Sequence, residues 1–510
     1  MSHPERSARA RSEEETMRPL AVGSESEFRV DLERLRFAPS FARLAEVTQV
    51  VTSGATGGVV HNRMTHSIKV TAVARAIAVH LLRTQDPEVL DSMGGLHHVV
   101  AQAAAVAHDV GHPPFGHLGE HILDRLGREH FGLSDGYEGN AQSFRLITEL
   151  EVHGPGTDGL NLTAAVRASI LKYPWGRQVV PSPHPSTWLT MPRGAGPGEA
   201  AGSTKFNAYL PDLTELIEVR EAFPMVPAGR QTLECAVMDL ADDIAYSLHD
   251  LEDFHRSGVL QYSATSREFR RWLHERTEWR LLSEDALAQR ARTPGAGLET
   301  LRRRLAEKDD WIFTEEAFMD AVARIADEFI EPVLGTPYDG SMLADRAISG
   351  FLSVWIDHFI ESVQLEPDPH VRSAYVHLDT MAWHEVQVLK FVHQYFVLHR
   401  PDLAMYQRGQ ATLLRQVVRA LDAWLSDRHD IDRAPRRLVD LVATAQDGYR
   451  KVAREYPEWL SGQTSETELT RMARGRGILD FVSSLTDSQV FSYAGRLSGS
   501  AQALWTGGGV

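Results

Sequence analysis

HHVVAQAAAVAHDVGHPPFGHLGEH, residues 97–121, decides how this chain is read. From His97 to Val110 the stretch is rich in Ala and Val, which predicts a buried helix ending at Gly111. His108 and Asp109 then stand at the helix C-terminus and point in neighbouring directions. Pro113 and Pro114 force a non-helical turn directly afterwards. His117 and Glu120 follow three residues apart, a spacing that one helical turn brings together.

Two further stretches join it. HNRMTHSIKV, residues 61–70, opens a segment whose apolar positions Ile68, Val70, Val73, Ile77 and Leu81 predict a helix from Ser67 to Arg83. His66 falls in its first turn. MDLADDIAYSLHDLED, residues 238–253, lies in a predicted helix from Cys235 to Phe254. There Asp242, Tyr246 and Asp250 are spaced i, i+4, i+8 and share one face. Carboxylates on a mostly apolar helix are costly unless a metal or hydrogen-bond donors meet them. His66, His108, Asp109 and Asp242 together suit one divalent cation of the Mn, Fe, Co, Ni, Zn or Mg type. Such a cation lowers the pKa of a water and neutralises phosphate charge, so the expected chemistry is cleavage of a phosphorus–oxygen bond.

The longer strings carry a resemblance. HDVGHPPFGHLGE (108–120), YEGNAQSFR (137–145), LKYP (171–174) and ADDIAYSLHDLED (241–253) resemble the HD phosphohydrolase superfamily, in its dGTPase or dNTP triphosphohydrolase branch. TQV (48–50) and ILDFVSSLTD (478–487) extend the likeness, in order, over roughly residues 25 to 500. The resemblance implies hydrolysis of a dNTP at its α-phosphate, giving a deoxynucleoside and intact tripolyphosphate. It implies one divalent metal ion per site, Mn²⁺, Mg²⁺ or another transition metal, held by His66, His108, Asp109 and Asp242. His117 and Glu120 match the family's catalytic pair, and either His117 or His112 is the proton donor to the leaving oxygen.

For the phosphates the resemblance points to Arg63, Lys172 and Asn140, with Arg145 in the same motif as Asn140. Lys205 is a weaker match. Lys172 is one of six lysines in a chain with 47 arginines. For the sugar it points to Gln49, Tyr246 and Asp250. Gln49 and Asp250 would bond the 3′-hydroxyl, and the Tyr246 ring would exclude a 2′-hydroxyl. Relatives of this kind form homo-oligomers, hexamers or tetramers, and some bind a dNTP effector or single-stranded DNA. The tail SQVFSYAGRLSGS after Asp487 departs from the usual family ending.

The rest of the chain sets bounds. Helical patterns continue over 317–333, 342–365, 384–398 and 412–425, so the expected fold is all-α, with at most a short β-hairpin over 50–60. The expected organisation is a disordered tail over 1–24, an HD catalytic core over 25–260 and a helical C-terminal region over 261–510 that packs on the core and forms oligomer contacts. Pro, Gly and Ser between 174 and 204 predict a mobile loop near the pocket. No apolar run approaches the roughly 18 residues of a membrane span. One cysteine, Cys235, excludes an intrachain disulfide and fits a cytoplasmic protein. A net charge of −16 argues against non-specific nucleic-acid binding by the whole surface. The arginine runs at 302–304 and 433–437 read as solvated helix faces. The bare metal set also suits an HD hydrolase of monophosphates, cyclic dinucleotides or alarmones, or a nucleotide- or single-stranded-DNA-sensing regulator with secondary hydrolysis.

Overall fold

The computed structural model describes residues 25–49, 61–154, 159–178, 191–196 and 202–500. The tail over 1–24 and the hairpin expected over 50–60 lie outside them. The helices that build the site are α1 (Glu25–Phe37), α2 (Arg63–Thr84), α3 (His98–Ala107), α4 (His117–Leu126), α5 (Gly139–Arg145) and α6 (Leu233–Arg256). Around them lie α7 (Glu315–Ile325), α8 (Met342–Glu361), the hairpin β1 (Val363–Leu365) and β2 (Val376–Leu378), α9 (Thr380–His393), α10 (Pro401–Ser426), α11 (Arg436–Glu455), α12 (Glu466–Ser483) and α13 (Asp487–Leu497). The fold is all-α apart from this one small antiparallel sheet among the described residues.

α3 is the hub. Every side chain from Val99 to Ala107 is buried, and most are alanine. Small side chains let α1, α2 and α6 all pack against it. α2 answers with Val70, Ala74, Ile77, Ala78 and Leu81, none of them exposed. Burying Ile77 or Leu81 stabilises the fold by about 1.5–3 kcal/mol each. α2 begins four residues before the expected Ser67, because Asn62 and Thr65 form a capping box: Asn62 Oδ1 accepts from the Thr65 amide at 2.9 Å, and the Asn62 amide donates to Thr65 Oγ1 at 3.1 Å.

Other boundaries move for similar reasons. The helix expected to reach residue 365 ends at Glu361, because residues 363–365 pair with 376–378 instead, Val363 opposite Leu378. α10 begins at Pro401 rather than at 412. Pro fits the first helical turn, and the early residues face outward, Met405 being 75% exposed, so burial gave no periodic signal there. Within the 174–204 segment, residues 174–177 are anchored to the core. Trp175 is buried with Phe206, Tyr209 and Ala141, its Nε1 donates to the Lys205 carbonyl at 2.9 Å, and Gly176 bridges Ala208. Of the arginine runs, Arg302 and Arg303 both pair with the buried Glu299, and Arg437 donates to the Leu150 carbonyl.

One apolar core runs from Phe28 to Ala494. The C-terminal region enters it with charge. Arg145 is buried between Asp212 (2.6 Å) and Asp480 (3.0 Å), and Arg476 pairs with Asp135 at 2.8 Å. No helix among the described residues is long and apolar enough to cross a membrane.

Glu234 ties the start of α6 to that of α3, its carboxylate accepting from the His97 amide at 3.0 Å. Burial pushes its carboxyl from 4.5 up to about 7. A carboxyl raised in the folded state contributes stability that is fully present below pH 4.5 and is lost as pH rises through 7. Glu234→Gln should therefore flatten the fall of the thermal midpoint between pH 5 and pH 8. An unchanged slope in that variant refutes the assignment.

Candidate active site

The turn after α3 is fixed from all sides. His108 O accepts from Ser143 Oγ (3.0 Å), Val110 O and His112 O both accept from Arg43 Nη2 (2.9 and 2.7 Å), and Gly111 O accepts from Tyr137 (2.7 Å). The Gly111 amide donates to Ser143 Oγ. A Cβ at Gly111 would lie 2.2 Å from the Ser143 nitrogen, so only glycine lets α5 approach this closely. Downstream, the Phe115 amide donates to Asp487 Oδ1 at 2.8 Å, and the other Asp487 oxygen accepts from the Thr48 amide.

Helix α3 stops at Ala107, three residues short of the expected Val110, with His108 as its cap. His108 Nδ1 meets the Ala105 carbonyl at 2.8 Å, which places the proton on Nδ1 and leaves Nε2 as a lone pair. That Nε2 is buried without a hydrogen-bond partner. It lies 3.7 Å from Asp242 Oδ1, which is 3.1 Å from His66 Nε2. One donor atom each from His66, His108 and Asp242 lie within 4.8 Å of one another. Two imidazole nitrogens, one of them orphaned, and a carboxylate oxygen suit a divalent cation. Burial opposes the Asp242 charge, but His66 and Lys172 hold its carboxyl far below the usual range.

Asp109 stands beside this set. Its Oδ1 is 3.6 Å from His108 Nε2 and 3.0 Å from His112 Nδ1, and its Oδ2 accepts from Arg63 at 2.8 Å. Burial raises its carboxyl, but Arg63, His112 and His108 outweigh this and keep it well below normal. Arg63 is 2% exposed, and its Nε and Nη2 have no partner, so two guanidinium donors remain for an anion. Its neighbour Gly116 adopts φ +58°, and a Cβ there would sit 2.7 Å from Arg63 Nη2.

His117 and Glu120 meet as their spacing implied, Nδ1 to Oε2 at 3.1 Å, with the His117 side chain 64% exposed and Glu120 buried. The second oxygen of Glu120 accepts from Lys205 at 2.7 Å. Burial raises the Glu120 carboxyl, but His117 and Lys205 prevail and hold it well below normal. His112 is buried between the two groups, 4.0 Å from Glu120. Burial, with Arg63, lowers its imidazole to about 4. His112, His117 and Glu120 form a second cluster of close donor atoms.

The remaining expected residues divide. Lys172 pairs with Asp239 (2.5 Å) and lies 3.5 Å from Asp242, so it borders the metal set. Asn140 donates its amide to Glu138 Oε1 at 2.8 Å, at the start of α5. Glu138 also receives Lys205, so Lys205 bridges two carboxylates, a role that its sequence surroundings did not announce. Arg145 does not reach a phosphate site; Asp212 and Asp480 occupy it in the interior. Gln49 has a buried Oε1 without a partner. Tyr246 and Asp250 lie on α6 with Asp242, Asp250 3% exposed and its Oδ2 unpartnered. Burial, then Asp253 and Asp242, push the Asp250 carboxyl well up. A cavity of about 260 Å³ lined by Lys172, Tyr173, Arg193, Lys205, Arg230 and Asp239, among others, adjoins the site, and its cations outnumber its carboxylates. It is a positive hollow on a negative body.

A donor set of metal-binding type, flanked by the cations Arg63 and Lys172, is an arrangement suited to metal-dependent hydrolysis of a phosphate ester. Residues 63–174 match the HD domain family, a match that takes in His66, His108 and Asp109. The chain's relatives are named deoxyguanosinetriphosphate triphosphohydrolase-like proteins. That of Streptomyces coelicolor is 29% identical over 481 residues, covering 92% of each chain. That of Shewanella oneidensis is 26% identical over 507 residues, again 92% of each. That of Corynebacterium glutamicum strain R is 35% identical over 262 residues, 50% of this chain and 51% of its own.

Proposed function

We propose that this chain hydrolyses deoxynucleoside triphosphates to a deoxynucleoside and tripolyphosphate. The observation that carries the reading is the shared helix: α6 presents Asp242 to the metal set, then Tyr246 and Asp250 one and two turns on. A metal set alone serves any phosphate ester, whereas a half-buried ring and an unpartnered buried carboxylate next to it suit a deoxyribose. The names of the relatives support the same substrate class.

A divalent cation, manganese or magnesium in kind, would be held by His66, His108, Asp109 and Asp242 and would neutralise phosphate charge and lower the pKa of a water. The chain's own residues do the rest. Arg63 and Lys172 meet phosphate oxygens. Asn140 stands at the start of α5 as a further phosphate neighbour. The bond between the α-phosphorus and O5′ breaks as water adds to phosphorus. His117 delivers a proton to O5′, and Glu120 orients its ring through Nδ1. Gln49 and Asp250 accept or donate at the 3′-hydroxyl. On the resemblance alone, the protein works in the cytoplasm as a homo-oligomer.

The test is product analysis. Each dNTP, singly and mixed, is incubated with the protein and Mn²⁺, Mg²⁺ or Co²⁺. Deoxynucleoside with tripolyphosphate is the expected outcome. Deoxynucleoside monophosphate with pyrophosphate, or no turnover at all, sinks the reading. If Tyr246 excludes the 2′-hydroxyl, Tyr246→Ala should narrow the preference for dNTP over NTP by about tenfold or more, the scale of a small steric contact. An unchanged preference points instead to a hydrolase of other nucleotides.

A further inference from the structure

His393 closes α9 where that helix packs on α6. It is 1% exposed, and neither ring nitrogen has a hydrogen-bond partner. Buried polar atoms are nearly always paired, so two orphans on one ring need a reason. The ring lies parallel to Phe254 at 5.2 Å and edge-on to Tyr246 at 5.0 Å, contacts that fix its plane. Its Nδ1 is 3.5 Å from Asp250 Oδ2, the orphaned carboxylate oxygen described above. Two unpartnered atoms of complementary type therefore face each other at the limit of hydrogen-bond distance, beside the residues assigned to the sugar.

We infer that His393 is a positioning residue for sugar recognition: its Nδ1–H donates to Asp250 Oδ2 and turns the carboxylate so that its other oxygen accepts from the 3′-hydroxyl of the nucleotide. The inference rests on the dNTP reading and deepens it. Without the imidazole the carboxylate is free to rotate about its terminal torsion, and the direction of its lone pairs is lost. A histidine that merely filled the core would be replaceable by any ring of its size.

The experiment compares the full chain with His393→Phe, His393→Asn and His393→Gln. Each is assayed on a dNTP and on its 2′,3′-dideoxy counterpart. Calorimetry of the matching nucleosides supplies a readout that does not need turnover. His393→Phe should raise KM for the dNTP about five- to tenfold, the scale of one lost hydrogen bond, with a smaller change in kcat. The dideoxy substrate, which lacks the hydroxyl, should be unaffected. Asn places its amide near the position of Nδ1 and should restore most of the loss; Gln reaches toward Nε2 and should not. Equal effects on both sugars, no effect of Phe, or rescue by Gln as good as by Asn overturns the inference. If the Phe variant does not fold, the Asn and Gln pair decides. A wild type that hydrolyses no dNTP defeats the functional reading itself, and equal binding of deoxy- and dideoxynucleoside then overturns this inference separately.

Discussion

Asp242→Ala should remove metal and turnover together. Asp242 supplies the carboxylate of the three-donor set, 3.1 Å from His66 and 3.7 Å from His108. Without it two imidazoles face a cation with Lys172 close by, and the lysine, no longer shared with Asp242, adds repulsion. Changes one shell further out typically weaken metal affinity by about 10–100-fold. Loss of a ligand is expected to exceed the upper end of that range and to take activity to background. Metal content after dialysis, measured beside turnover and thermal midpoint, gives the answer. A folded variant that keeps one equivalent of metal and normal turnover refutes the site.

His117→Ala should lower kcat by about 10²–10⁴-fold while metal content stays intact, the range for loss of a general acid. His117 is the exposed member of the three-residue cluster and can reach a substrate; His112 is buried against Asp109. The loss should shrink for a nitrophenyl phosphodiester, whose leaving group departs without a proton. Glu120→Gln should act in the same direction but less severely, because it leaves the imidazole in place and misorients it. If His112→Ala removes more activity than His117→Ala on the natural substrate, and the nitrophenyl ester rescues it, the donor is His112.

The parts of the site legible in the sequence are those written in local spacing. His117 and Glu120 needed only one helical turn to meet, and Asp242, Tyr246 and Asp250 needed only one helix face. His66 and His108 are legible through the resemblance to the HD-type metal site, and their flanks predict the two helices that carry them. The framework that holds these residues was not legible. Arg43 reaches Val110 and His112 across a sequence separation of 67 and 69 residues, and Arg145 reaches Asp480 across 335. No periodicity encodes such pairs. Arg145 shares a string with Asn140 and so points toward the phosphates in the sequence, yet it leaves α5 on the buried side. His393 carried no signal, since a histidine at the end of an amphipathic helix is ordinary until its neighbours are known. In the string ending at Asp487 the likeness was visible, but not the bond from Phe115 that the carboxylate receives.

That bond bears on the order in which the protein is made. Phe115 and Asp487 are 372 residues apart, and Asp480 and Arg476 brace the same region from equally far along the chain. Contacts of such separation close last, because the loop entropy precedes the reward. On the ribosome the HD turn and its near partners Arg43, Tyr137 and Ser143 emerge long before the Asp487 contact exists. A nascent chain or a product of premature termination therefore lacks the C-terminal ties to Phe115, Arg145 and Asp135, and full hydrolytic competence is expected only once nearly the whole message has been read.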